Sequence, residues 1–295
     1  MAAAYGVALE LAREPTHEAL ERAAEVLRHA RPTAVNLAWA VERVRAAALA
    51  GDPERLAETA LAEARAIHDE EERASDAIAA AGADLLAECQ IVLTHCNTGF
   101  LAAPGRGTAL AVIAELHARG SLRGVIATES RPLLQGARLT AYELEQLGIP
   151  YRLVVDGAAP ALIASGEVDA VVVGCDRVAA NGDVANKIGT YSLALAARTM
   201  GIPFVVAGPT STLDPDCPSG DRIEIELRDP DEVRHAGGAR LTLAGAPAHN
   251  PAFDVTPAAL VSALVTEQGV LRPGEAAGTP GAPVSVASRT PPRPR

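Results

Sequence analysis

Thr94-His-Cys-Asn-Thr-Gly99 sets an imidazole, a thiol and an amide side by side, directly after the apolar run Ile91-Val-Leu93. A β-branched run ending in reactive groups is what a strand delivering chemistry looks like, and Gly99 permits a sharp turn just beyond them. A thiol ordinarily ionises near pH 8.5, roughly, so Cys96 can give or take a proton at neutral pH if a cation or a helix N-terminus lowers that value. An arbitrary cysteine is usually an inert buried thiol, but the strand-end position and polar neighbours favour a reacting one here. His95 is the tempting partner. Adjacent side chains on a strand point to opposite faces, however, which argues against a simple Cys-His dyad.

A second candidate, Asp176, follows the apolar run Val171-Val-Val-Gly174 and Cys175. A carboxylate there is either paired, with Arg177 for example, or kept protonated by desolvation as a general acid. In Asn181-Gly-Asp-Val-Ala-Asn-Lys-Ile-Gly-Thr-Tyr191, Asn186 and Lys187 are expected at a helix start, where backbone amides and an ammonium would seat a phosphate. Lys187 is the single lysine among 26 basic residues. So strong a bias to arginine suggests that this position needs a compact ammonium on a flexible stem. Gln135, expected to open another helix after Arg131-Pro132, offers an amide to sugar hydroxyls. No P-loop is present, and Gly105-Arg-Gly107 lacks the third glycine of a dinucleotide site, so no nucleotide cofactor is expected.

These residues need elements to hold them together. Strand-like runs at 91–94, 124–128, 151–155, 170–173 and 204–207 alternate with helical patterns, which predicts βαβ units and a parallel sheet. Ligands bind such sheets beyond the carboxyl ends of the strands, where His95-Cys96-Asn97, Glu129-Ser130-Arg131, Asp156, Cys175-Asp176 and Thr210-Ser211 all fall. Residues 1–85 read as helices over 18–30, 34–50 and 53–86, with a break near Gly82 and with Thr16 and Asp52 as cap candidates. The run Asp69-Glu-Glu-Glu-Arg73 reads as a solvated helix face. The expected organisation is a helical N-terminal domain (1–85), a Rossmann-like catalytic domain (86–273) and a disordered tail (274–295) rich in Pro, Gly, Ala and Ser.

Composition narrows the partners. A net charge of -11 with 3% aromatic residues supplies neither the basic stripe nor the stacking platforms that nucleic acid requires. Apolar runs are interrupted before a membrane span could form and no secretion signal opens the chain, so a soluble cytoplasmic protein is expected. The four cysteines, Cys89, Cys96, Cys175 and Cys217, lack the paired short spacings of a zinc knuckle or disulfide framework.

Taken together, Thr94–Gly99, Glu129–Thr140, Gly174–Arg177 and Asn181–Tyr191, with Arg31-Pro-Thr-Ala-Val-Asn-Leu-Ala-Trp39, resemble the methylthioribose-1-phosphate isomerases of methionine salvage. The similarity runs from residue 1 to about 272, in several long motifs in the right order. It implies an aldose–ketose isomerase that converts 5-methylthio-α-ribose 1-phosphate to 5-methylthioribulose 1-phosphate, as a cytoplasmic homodimer, without nicotinamide or metal. By motif matching, Cys96 and Asp176 are catalytic, and Arg31, Gln135, Asn186 and Lys187 bind the phosphorylated substrate. Hydrogen moves from C2 to C1 either as a proton through an enediol or as a hydride; the sequence leaves both open. Two other readings share the superfamily: an isomerase of another aldose 1-phosphate, such as ribose 1,5-bisphosphate, and a non-catalytic regulatory subunit of a translation-initiation exchange factor. Cys175 stands where the family usually has alanine. The family also carries an Arg-Gly-Ala-Pro segment before the Ala-Ala-Ala-Tyr-Gly stretch at which this sequence opens. The expectation is therefore an upstream start, or a shortened form that binds phosphate weakly.

Overall fold

The computed structural model describes residues 1–273, so the expected tail at 274–295 lies outside the described residues. Apolar residues three and four apart put one stripe of each early helix into a shared core. Helix α1 (Ala2–Arg13) buries Ala4, Val7, Ala8 and Leu11; α2 (His17–Arg28) buries Leu20 and Ala24; α3 (Val35–Ala50) buries Val41, Val44 and Ala48. All three pack with the first half of α4 (Leu56–Leu85). Both expected caps form: Thr16 accepts from Ala19 N at 3.1 Å, and Asp52 accepts from Glu54 N at 2.9 Å at the turn leading into α4.

Helix α4 does not break at Gly82. A Cβ there would lie 2.4 Å from Val112 Cγ2, so the glycine serves close packing of α4 on α5 (Ala109–Ala118). The second half of α4 thereby covers one face of the sheet, with Ile78 and Ala83 joining Val112, Ile113, Val92 and Val172 in one core.

The five expected strands occur where the sequence puts them: β1 (Ile91–Thr94), β2 (Gly124–Thr128), β3 (Tyr151–Val154), β4 (Ala170–Val173) and, further on, Phe204–Ala207. Between them run α6 (Ala141–Gln146) and α7 (Ala159–Ala164). After β4 come β5 (Arg177–Ala179), β6 (Val184–Lys187), α8 (Thr190–Met200), β7 (the Phe204–Ala207 strand) and β8 (Leu213–Asp214). The short α9 (Pro230–Arg234) and a ribbon of β9 (His235–Ala236) with β10 (Ala239–Arg240) precede β11 (Phe253–Thr256), β12 (Ala263–Thr266) and β13 (Gly269–Leu271).

The main sheet has the order β13-β12-β7-β4-β1-β2-β3, parallel throughout except for the antiparallel edge strand β13. This is the expected α/β class with a helical N-terminal part. Two features were not expected. The sheet is mixed at its edge, and a second sheet of order β11-β6-β5-β8 stands beside it. Its strands are two to four residues long, and β6 finds β11 across a long stretch of chain, so no local period announces it. Because β1 leads to β2 on one side while β4 lies on its other side, the sheet's topological switch point falls between β1 and β4. That is where an open parallel sheet leaves a crevice for a ligand.

Candidate active site

A cleft of about 710 Å³ opens at this switch point. Cys96 enters it from the end of β1 and Asp176 from the end of β4. The other four singled-out residues, Arg31, Gln135, Asn186 and Lys187, line the same cleft. A neighbouring cavity of about 690 Å³ is edged by Glu70, Glu71, Asp214, Asp216 and Glu267 against the lone cation Arg73. Charge separates the two. The second cavity sets five carboxylates against one guanidinium, whereas the first sets only Asp176 and the shared Glu71 against the ammonium of Lys187 and the guanidinium of Arg31, the better balance for a phosphate.

Cys96 has a backbone φ of 65°, the left-handed region. Among the described residues the other non-glycine positions there are Ser130 and Leu134, and both adjoin the same site. Such strain persists only where surroundings hold it. Here Cys96 N donates to Ser130 Oγ at 2.8 Å, and Thr140 Oγ1 donates to Cys96 O at 2.5 Å. Burial pushes the Cys96 thiol up to about 11, against the opposing pull of Lys187. His95, as its strand position implied, faces away. It bonds Thr128 Oγ1 at 2.6 Å and the Ile188 carbonyl at 2.8 Å, and burial lowers its pKa.

Asp176 is not paired with Arg177, which turns instead to Asp214 at 3.4 Å and to the Pro32 carbonyl at 2.9 Å. Desolvation raises the Asp176 carboxyl to about 6, while Lys187 and Arg31 partly offset it. Desolvation thus favours the acid form, without making it the major form at neutral pH. Beside it Cys175, half-buried and also lining the cleft, lies 3.2 Å from Thr212 Oγ1, and desolvation pushes its thiol up to about 12.

The expected phosphate seat needs correction. Asn186 and Lys187 lie on strand β6, not at a helix start, and α8 begins only at Thr190. Two of the amides entering α8 are occupied, since Asp254 accepts from Gly189 N at 2.7 Å and Tyr191 N at 3.2 Å. What remains of that seat is the side chains. Lys187, only 7% exposed, sits with Nζ 4.8 Å from the Phe253 ring centroid, and Arg31 approaches the same ring at 5.7 Å while pairing with Glu226 at 3.0 Å. Phe253 was not singled out in the sequence, and an isolated Phe on a strand that pairs at long range offers no signal. Asn186 donates to Thr190 Oγ1 at 3.0 Å.

Gln135 precedes a π-helical turn, Gly136–Thr140, and its buried Oε1 has no protein partner. A buried amide oxygen in a cleft wall is poised for a donor that a ligand brings. The acidic run 69–73 is solvated as expected except at Glu71, which turns inward to Ser211 Oγ at 3.0 Å and whose carboxyl burial raises. Among the described residues no group of three or more His, Cys, Asp and Glu side chains is placed to hold a metal ion, and no helix is long and apolar enough to cross a membrane.

Residues 2–273 match the initiation factor 2 subunit family. The chain belongs to that family. Within it, a protein of Anaeromyxobacter sp. (strain K) named methylthioribose-1-phosphate isomerase is 55% identical, over 94% of this chain and 80% of its own length. A Moorella thermoacetica protein named 5-deoxyribose 1-phosphate isomerase is 54% identical, over 86% of this chain and 73% of its own. The crystal structure of 5-methylthioribose 1-phosphate isomerase from Pyrococcus horikoshii OT3 is similar with a TM-score of 0.82 and 41% identity, covering 92% of this chain and 79% of that one.

Proposed function

We propose that this chain is an aldose–ketose isomerase converting 5-methylthio-α-ribose 1-phosphate to 5-methylthioribulose 1-phosphate in methionine salvage. The observation that carries the reading is one desolvated cleft lined by both Cys96 and Asp176, with Lys187 and Arg31 at its edge.

Because the anomeric oxygen carries phosphate, the ring cannot open as a free sugar does. Asp176 protonates the ring oxygen as the C1–O bond breaks, hydrogen passes from C2 to C1, and the C2 hydroxyl proton returns to Asp176 as the ketone forms. Lys187, Asn186, Gln135 and Arg31 hold the phosphate and hydroxyls. Magnitudes favour the hydride route. With a pKa of about 6, Asp176 is protonated in about one molecule in ten at pH 7, at a cost of about 1.4 kcal/mol. A thiol near 11 is ionised in about one in ten thousand, which costs about 5 kcal/mol before any proton is abstracted. Cys96 therefore acts as a neutral S–H beside the migrating hydrogen, excluding water.

The Moorella relative keeps 5-deoxyribose 1-phosphate as a second substrate to consider, since it differs only at C5, away from the reacting carbons. A bisphosphate needs a second cationic subsite, and a regulatory subunit has no use for Cys96, Asp176 and Lys187 together. The reading extends, on resemblance alone, to a cytoplasmic homodimer with the chain divided at residue 85 into helical and catalytic domains. The test is to give the purified chain each of the three sugar phosphates and follow ketose formation by NMR. Turnover of methylthioribose 1-phosphate is expected; a folded chain that isomerises none of them sinks the proposal.

A further inference from the structure

Glu143, on α6, is fully buried although it lines no part of the cleft. Its carboxylate is filled with N–H donors. Oε1 accepts from Asn97 Nδ2 at 2.9 Å and from Leu101 N at 3.2 Å, and Oε2 accepts from Phe100 N at 2.8 Å. One turn earlier, Thr140 donates to Cys96 O and accepts from Asn97 Nδ2 at 3.2 Å. Every one of these partners belongs to the segment 96–101, which carries the thiol and forms one wall of the cleft. The approach is so close that a Cβ on Gly99 would lie 1.8 Å from Glu143 Oε2, so only glycine fits there.

A carboxylate is an acceptor only, which suits a nest of donors; an amide of the same shape would turn an N–H toward one of them. We propose that Glu143, seconded by Thr140, is a positioning residue for the reaction. It pins the 96–101 segment from beneath, keeping Cys96 in its left-handed conformation and shielded from water, without touching substrate. The kinetic half of this inference rests on the isomerase reading; the structural half does not.

Two measurements on Glu143→Gln test it. The first is alkylation of Cys96 by iodoacetamide, read by mass spectrometry of its peptide with the half-buried Cys89 as internal reference. Cys96 is expected to react about tenfold faster than in the parent, with Cys89 unchanged, because a pinned segment loses its protection when local opening becomes easier. The second is kinetics, where kcat is expected to fall about thirtyfold with KM within about threefold, the result of misplacing a group that binds nothing. Should Glu143→Gln fail to fold, Thr140→Val is expected to speed Cys96 alkylation and Thr140→Ser, which keeps the hydroxyl, to retain more of the protection. Unchanged Cys96 reactivity in folded variants, or equal acceleration at Cys89, overturns the inference. If the parent isomerises no pentose 1-phosphate, the isomerase reading fails while the alkylation result still decides the role of Glu143.

Discussion

Lys187 stands directly opposite Phe253 across the β6–β11 pair, its ammonium nitrogen 4.8 Å from the centre of the ring. A cation over an aromatic face gains about 0.5 to 2 kcal/mol, and here the ring also receives Arg31 from the helical part of the chain. One aromatic side chain thus gathers both cations at the cleft edge. In a slot this buried, a guanidinium is broader than the ammonium and cannot take its place over the Phe253 ring unchanged. Lys187→Arg is therefore expected to raise KM about tenfold or more while kcat stays within about threefold. Unchanged steady-state kinetics would make the chain's single lysine a coincidence.

Asp176 is expected to exchange stability for chemistry. Its folded pKa is raised from 3.8 to about 6, so the acid form fits the fold better than the carboxylate does. The stabilisation is complete below pH 3.8, declines between 3.8 and 6, and is absent above. At pH 8 the ionised group costs the fold about 2 kcal/mol, after allowance for partial exposure. Asp176→Asn should accordingly unfold at higher denaturant concentration than the parent at pH 8, match it near pH 3, and show no turnover at either. Isomerase activity near the parent level refutes the general-acid role.

The general-acid role proposed for Asp176 also predicts a pH profile. If turnover needs the protonated carboxyl, kcat/KM should be level below about pH 6 and fall tenfold per unit above it. Substrate phosphate also titrates in this region, and a variant separates the two. Lys187 is the largest influence favouring the carboxylate, so Lys187→Met should move the enzyme's break to higher pH. A break that stays put belongs to the substrate.

The high Cys96 pKa leads to an isotope prediction. If hydrogen passes directly from C2 to C1, product formed in D2O carries no solvent deuterium at C1; a thiolate base that exchanged its proton would leave some. Cys96→Ser, which puts a hydrated hydroxyl where the neutral thiol excludes water, is expected to lower kcat. Mass spectrometry of the ketose decides the first point and steady-state rates the second.

Local signals carried much of this. β-Branched runs ending in polar clusters marked five strands to within a residue, and three- and four-residue spacings marked the helices, because period and turn chemistry are properties of neighbouring residues. The same signals set Cys96 and Asp176 at strand ends, and the lone lysine drew the eye to Lys187. What tertiary structure alone decided depends on partners far along the chain. Lys187 reads as a helix start until β11 pairs with β6, and Asp254 is known to occupy the entrance to α8 only once that pairing exists. Gly82 reads as a break until Val112 is packed against it. Nothing in the sequence singles out Glu143 until the fold places α6 under the segment after β1. The raised pKa values of Asp176 and of the Cys96 thiol belong to neither residue alone. They are set by how much water the assembled cleft excludes, and no residue's neighbours in sequence determine that.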